Sequence, residues 1–227
     1  MARHTALTLR FVQLFVGLFL YGAATALQVR AVVGVSSWTV LTQGLENVLP
    51  WSFGVITVVS SGVILLLWIP LRQKPGIGTL LNALAIGPSA DLVLWLVPEP
   101  SGLPARIALF VAGLVLLAVA TAFYIGAGFG TGARDGLMVG LHQRLGWPIW
   151  LARTLVEVTV VAVGWALGGD VGAGTVIAAF AIGPMAQPLM PWFRRFPWSP
   201  ERTAAAPAPS VAAPALEARP TPDTPAP

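Results

Sequence analysis

The chain has 227 residues, of which 56% are hydrophobic and 10% charged, with a mean hydropathy of +0.79. These values lie far from soluble averages and exclude an ordinary water-soluble enzyme, while long apolar blocks in place of short alternating segments exclude an outer-membrane barrel. The net charge of +4 comes largely from Arg residues flanking apolar blocks, so it reads as a topology signal and not as affinity for nucleic acid; without Cys there is no disulfide or thiolate site, and His4 and His142 form no ligand cluster, so neither metal nor cofactor is expected.

In chain order, six blocks carry the roughly 20 apolar residues needed to cross a hydrocarbon core about 30 Å thick. They are 11–29, 51–71, 78–98, 107–125, 148–168 and 174–190. Two further helical stretches, 37–48 and 135–145, reach only roughly 16–18 Å at about 1.5 Å per residue, too short for a crossing. Each follows Gly-containing chain and ends shortly before a proline, Pro50 or Pro148, so each reads as a re-entrant or interfacial half-helix. Residues 1–26 also have the pattern of a signal peptide, with Ala24-Thr25-Ala26 as the cleavage site, but an internal counterpart of this block argues for a retained span. Residues 199–227 are rich in Ala and Pro and are expected to form a disordered cytoplasmic tail, because they cannot bury enough surface to offset ordering entropy.

Basic residues sort to one side of this arrangement. Arg3, Arg10, Arg72, Lys74, Arg134, Arg144, Arg194, Arg195 and Arg202 fall together, opposite Glu46, Glu99 and Asp170 with only Arg30 and Arg106. The positive-inside rule then places both termini in the cytoplasm, in a bacterial inner membrane.

The chain also repeats itself. Gly76-Ile77-Gly78-Thr79 and Ala85-Ile86-Gly87-Pro88 recur 96 residues later as Gly172-Ala173-Gly174-Thr175 and Ala181-Ile182-Gly183-Pro184. The same register pairs Gly17 with Gly113, Gly34 with Gly130, Leu41 with Leu137 and Gly44 with Gly140. The expected fold is therefore all-α, with six transmembrane helices in two three-span repeats, 1–98 and 106–192, each with one half-helix. Three is an odd number of crossings, so the second repeat enters from the opposite side and the repeats are inverted. In secondary transporters of that design the substrate binds near the midplane, between the repeats.

The segments Gly130-Thr131-Gly132-Ala133-Arg134-Asp135-Gly136-Leu137-Met138, Arg153-Thr154-Leu155-Val156-Glu157 and Gly76-Ile77-Gly78-Thr79-Leu80-Leu81-Asn82 resemble the YczE-like branch of the YczE/YyaS/YitT family of bacterial integral membrane proteins. The resemblance covers about residues 10–192 and implies little chemistry. Where that family's first turn usually reads Gly-Pro-Trp-Asp, this chain has Ser36-Ser37-Trp38-Thr39, so the carboxylate expected at 39 is missing.

Ionisable groups inside a membrane are costly and invite explanation. Glu157 is mid-span, with Arg153 one turn earlier on the same face, where the two can pair; loss of either partner of a buried pair is expected to cost roughly 3–5 kcal/mol. The functional reading is a proton or ion relay, and the plain one is a neutralised pair that fixes packing. Asp91, with its repeat partner Gln187, follows the Gly87-Pro88 pair, which is expected to break its helix as Gly183-Pro184 does in the second copy. It either binds a cation or proton beside freed backbone, with Asn82 farther along the helix, or caps the helix that restarts. Arg134 and Asp135 follow alternating glycines at 126, 128, 130 and 132, a turn that either docks an anionic group or simply lets the chain pass close to its neighbours. The expected function is a small permease, not an enzyme, acting on an unidentified solute or ion within a lipid bilayer. The runner-up is a non-transporting accessory or scaffold subunit, and association with a second copy or another membrane protein stays open.

Overall fold

The computed structural model describes residues 3–200, and among them every regular element is helical. In chain order these are α1 (Arg3–Ala31), α2 (Ser37–Val48), α3 (Phe53–Leu67), α4 (Ile77–Leu96), α5 (Leu103–Gly126), α6 (Ala133–Leu145), α7 (Ile149–Ala166), α8 (Ala173–Ala186) and α9 (Met190–Arg194). The tail expected to be disordered lies, from residue 201 onward, outside the described residues.

Three of these helices, α1, α4 and α5, are long and apolar enough to cross a membrane, and a fourth span is added if α2 and α3, bent by 116° at their junction, are taken together. The half-helix α2 has the bounds expected for it, whereas α6 begins two residues early, at Ala133. The blocks expected at 51–71 and 174–190 yield shorter helices of 15 and 14 residues. In α3 the chain leaves helical geometry after Leu67, through a turn closed by Ile69 N–H to Leu66 O at 3.1 Å and Gln73 N–H to Trp68 O at 3.0 Å. In α8 the last turn contains Pro184, whose missing N–H removes one of its bonds.

The expected helix breaks do not occur. Helix α4 continues through Gly87 and Pro88, and α8 through Gly183 and Pro184. Pro88 points outward, exposed, while the residues beside it are clamped between two neighbours. A Cβ at Gly22 of α1 would lie 2.7 Å from Ile86 O, and one at Gly87 would collide with the backbone of Gly54 in α3. One lost hydrogen bond is thus not enough to end either helix, whether its glycine is packed, as at Gly87, or open, as at Gly183.

Helix α1 is the central strut, packed along both α5 and α4. Its approach to α5 is close because small residues stand at the crossing, as is usual where apolar driving force is weak and backbone contact must supply the packing. A Cβ at Gly17 would lie 2.7 Å from Tyr124 Cβ, and one at Gly113 would lie 3.1 Å from Gln28 Cγ. Since Gly113 and Tyr124 stand 96 residues after Gly17 and Gln28, this is one contact made twice with the copies exchanged. The pattern recurs along the chain. Gly78 N–H donates to Phe129 O at 2.9 Å, and Gly174 N–H to Val33 O at 3.0 Å. Gly44 abuts Leu167, and Gly140 abuts Leu71. Gly34 and Gly130, at φ 127° and 123°, let the chain enter the two half-helices in a conformation closed to other residues, each against Thr175 or Thr79. Each of these contacts thus has a counterpart in which both residues are shifted by 96 positions and the order is exchanged.

The two halves are not packed alike. Helix α3 lies along α4, whereas their counterparts α7 and α8 stand apart, α7 on α2 and α6 and α8 on α5. Gly87 is pressed against Gly54, but a Cβ at Gly183 would meet nothing within 4 Å. Trp150, exposed, occupies the position that corresponds to Gly54.

Candidate functional site

A cavity of about 430 Å³ opens where α7 and α8 separate. Arg153 and Glu157 line it from α7, Gln187 from just beyond α8, and Arg134 and Asp135 from the first turn of α6. The N-terminal turn of α2 contributes Ser36, Ser37 and Trp38. Apolar wall comes from residues such as Leu117, Met138 and Ile182.

A second, much smaller cavity of about 50 Å³ lies between α3 and α4. Its lining follows the 96-residue register. Thr57 and Ser61 stand where the large cavity has Arg153 and Glu157, and Asn82 and Ile86 stand where it has Ala178 and Ile182. Four residues border both cavities: Tyr21, Tyr124, Arg134 and Asp135. The Arg134 guanidinium lies over the ring of Trp38, 4.9 Å from its centroid, and these two residues are themselves 96 positions apart. Arg134 borders both the wide gap and the narrow one. Arg134 therefore does not sit with the peripheral basic residues among which its place in the sequence would group it.

The ionisable groups gather but do not neutralise one another. Among the described residues no ion pair is formed by Arg134, Asp135, Arg153 or Glu157, although Asp135 lies within electrostatic reach of the other three. The expected pairing of Arg153 with Glu157 is thus absent. Arg N-terminal to Glu is the weaker order for a pair four residues apart, and the open cavity leaves Arg153 exposed and Glu157 only half-buried.

Asp91 proves to be a cap, though of a different helix from the one expected. It accepts from Gly54 N–H at 2.7 Å and from Ser52 Oγ at 2.7 Å, while Ser52 Oγ accepts from Val55 N–H at 3.3 Å. These bonds satisfy the first orphan donors of α3 and fasten it to α4, outside both cavities. Replacing Asp91 with Ala should lower stability by about 1–2 kcal/mol, a typical cost of losing an N-cap, with Asn retaining part of it. Chemical denaturation of the detergent-purified variants checks this. The partner position, Gln187, makes no such clasp and lines the wide gap.

The glycine turn before α6 packs against the start of α4, while its Thr131 is exposed at the large cavity. Thr79 Oγ1 donates to Thr131 O at 2.7 Å, and a Cβ at Gly130 would lie 2.9 Å from that same hydroxyl. At Gly130 close passage of a neighbouring segment explains the glycine. The tyrosines were missed by charge and motif alone, yet the chain has only two and both border the two cavities. A phenol in the middle of an apolar block is the signal that marks Tyr21.

The family of unknown function DUF6198 matches residues 8–191. This chain belongs to that family. It is 34% identical over 187 residues to an uncharacterized protein of Haemophilus influenzae, covering 82% of this chain and 86% of that one. It is also 29% identical over 180 residues to the uncharacterized membrane protein YczE of Bacillus subtilis, with 78% and 83% covered, and 26% identical over 184 residues to YyaS of the same organism, with 79% and 92% covered. No solved structure matches. As a DUF6198 member related to YczE, with several apolar helices of crossing length, the chain is a membrane protein.

Proposed function

We propose that the protein is a small secondary transporter of the bacterial inner membrane, not an enzyme, and that solute passes along the interface of two inverted repeats. The observation that carries this reading is the pair of register-matched cavities that share Tyr21, Tyr124, Arg134 and Asp135, one about 430 Å³ and the other about 50 Å³. A central site reached by a wide gap on one side and a nearly closed equivalent on the other has the geometry of alternating access. When α7 and α8 close and α3 and α4 part, the same residues face the opposite compartment.

The inverted arrangement follows if α1, α3 and α4 cross the membrane and α2 does not, with α5, α7 and α8 crossing likewise and α6 not, the short helices α3 and α8 completing their crossings with the turns that follow them at 68–72 and 187–189. Six crossings with both termini in the cytoplasm agree with the basic residues outside the site. A sealed accessory subunit would have no use for a charged, unpaired cavity at its centre.

The absence of Cys makes the test direct. Ile86→Cys and Ile182→Cys place single thiols in the narrow and wide gaps, at matched positions. A membrane-impermeant maleimide should label Ile182→Cys from one face of oriented vesicles and Ile86→Cys from the other. Labelling of both from the same face, or of Ile182→Cys alone under every condition, overturns the reading.

A further inference from the structure

We infer that the solute is a zwitterion of amino-acid size with an apolar body, its anionic group taken by Arg134 and Arg153 and its cationic group by Asp135 and Glu157. This rests on the transport reading of the same cavity.

The charge inventory is the ground for it. Two guanidinium groups and two carboxylates line one cavity, and among the described residues none of the four is in an ion pair. Charges of both signs held so close, yet not spent on one another, are arranged for a ligand that brings both signs. An anion alone would leave the two carboxylates without compensation, and a cation alone would leave the two arginines so. A zwitterion meets each with its opposite and adds no net charge, so that its crossing does no work against the membrane potential.

Size and shape agree. A volume of about 430 Å³ lies at the small end of the roughly 300–1,000 Å³ typical of small-molecule sites. Leu117, Met138 and Ile182 supply apolar wall for a hydrocarbon side chain, Leu117 from α5 and Ile182 from α8, helices that bring no charged residue to the cavity.

The test uses three probes with the same branched side chain: leucine, 4-methylpentanoate, which lacks the ammonium group, and 3-methylbutylamine, which lacks the carboxylate. Titrated into the full-length protein in detergent, with tryptophan fluorescence and thermal shift as readouts, leucine should bind at least about tenfold more tightly than either analogue. Glu157→Gln should weaken leucine while leaving 4-methylpentanoate unchanged or stronger, and Asp135→Asn should do the same. Equal binding of one analogue, or no binding of leucine, overturns the inference. Exchange of labelled leucine in proteoliposomes separates this from the transport reading. Binding without exchange sinks transport and leaves the ligand class standing, whereas exchange of a singly charged analogue without leucine does the reverse.

Discussion

Valine at position 87 should prevent stable folding, while valine at position 183 should fold and fail to function. The two glycines belong to the same Ala-Ile-Gly-Pro motif, 96 residues apart, and each sits inside an unbroken helix. At Gly87 any Cβ runs into the carbonyl oxygen and Cα of Gly54, backbone that cannot rotate aside. Relief requires α3 and α4 to move apart, which strips Asp91 of its bonds to Ser52 and Gly54. Overpacking of well-packed cores typically costs 1–3 kcal/mol and more where backbone must shift, so a loss on the order of 3 kcal/mol is expected. At Gly183 a Cβ meets nothing within 4 Å and projects at the edge of the wide cavity. Gly183→Val should therefore melt like the wild type in detergent. It should also leave Ile182→Cys open to labelling and block labelling of Ile86→Cys, because bulk at this position obstructs closure of α7 on α8. Equal loss of stability in both variants would mean that the asymmetry between the two gaps is not real.

The second large effect concerns Arg153 and Glu157. Their spacing in the sequence leads to a buried pair and a severe penalty for removing one partner. The structure leads elsewhere: the side chains share a cavity without an ion pair, Arg153 is exposed, and Glu157 is half-buried. Arg153→Met and Glu157→Gln should each leave the unfolding free energy within about 0.5 kcal/mol of wild type, as for open positions. Binding is another matter. A hydrogen bond to a charged group contributes about 1.5–3 kcal/mol, so each variant should lose roughly 10- to 150-fold in affinity for a ligand of opposite charge at that point. Isothermal titration beside denaturation on the same preparations checks both halves. Strong destabilisation with affinity retained would restore the packing reading and remove both residues from the site.

Much of the architecture was legible from residue order alone. A stretch of 12 residues between a glycine turn and Pro50 is too short to cross a membrane, and α2 spans the residues expected for it. The 96-residue register, read from recurring Gly, Thr and Pro positions, reappears as exchanged contacts between the halves. Such features are local or periodic: helix length follows from runs of apolar residues, and close crossings follow from where side chains are absent. The charged residues on α6 and α7 could be named as candidates for the same reason, since charge within an apolar block is visible without any fold.

What only the tertiary structure decided depends on pairs of residues far apart in the chain. Helix α4 runs on through Pro88, and beside it Gly22 and Gly54 close in from two other helices. Asp91 is a cap for α3, because folding brings Ser52 and Gly54 to it across 37 to 39 residues. The wide and narrow gaps follow motifs that are the same in both copies, so the motif itself carries no hint of the difference. The difference lies in what faces each copy: Gly54 lets α3 close on α4, whereas the corresponding Trp150 stands exposed where α7 and α8 part. A contact is a property of two surfaces, and a repeat read along the chain describes only one of them at a time.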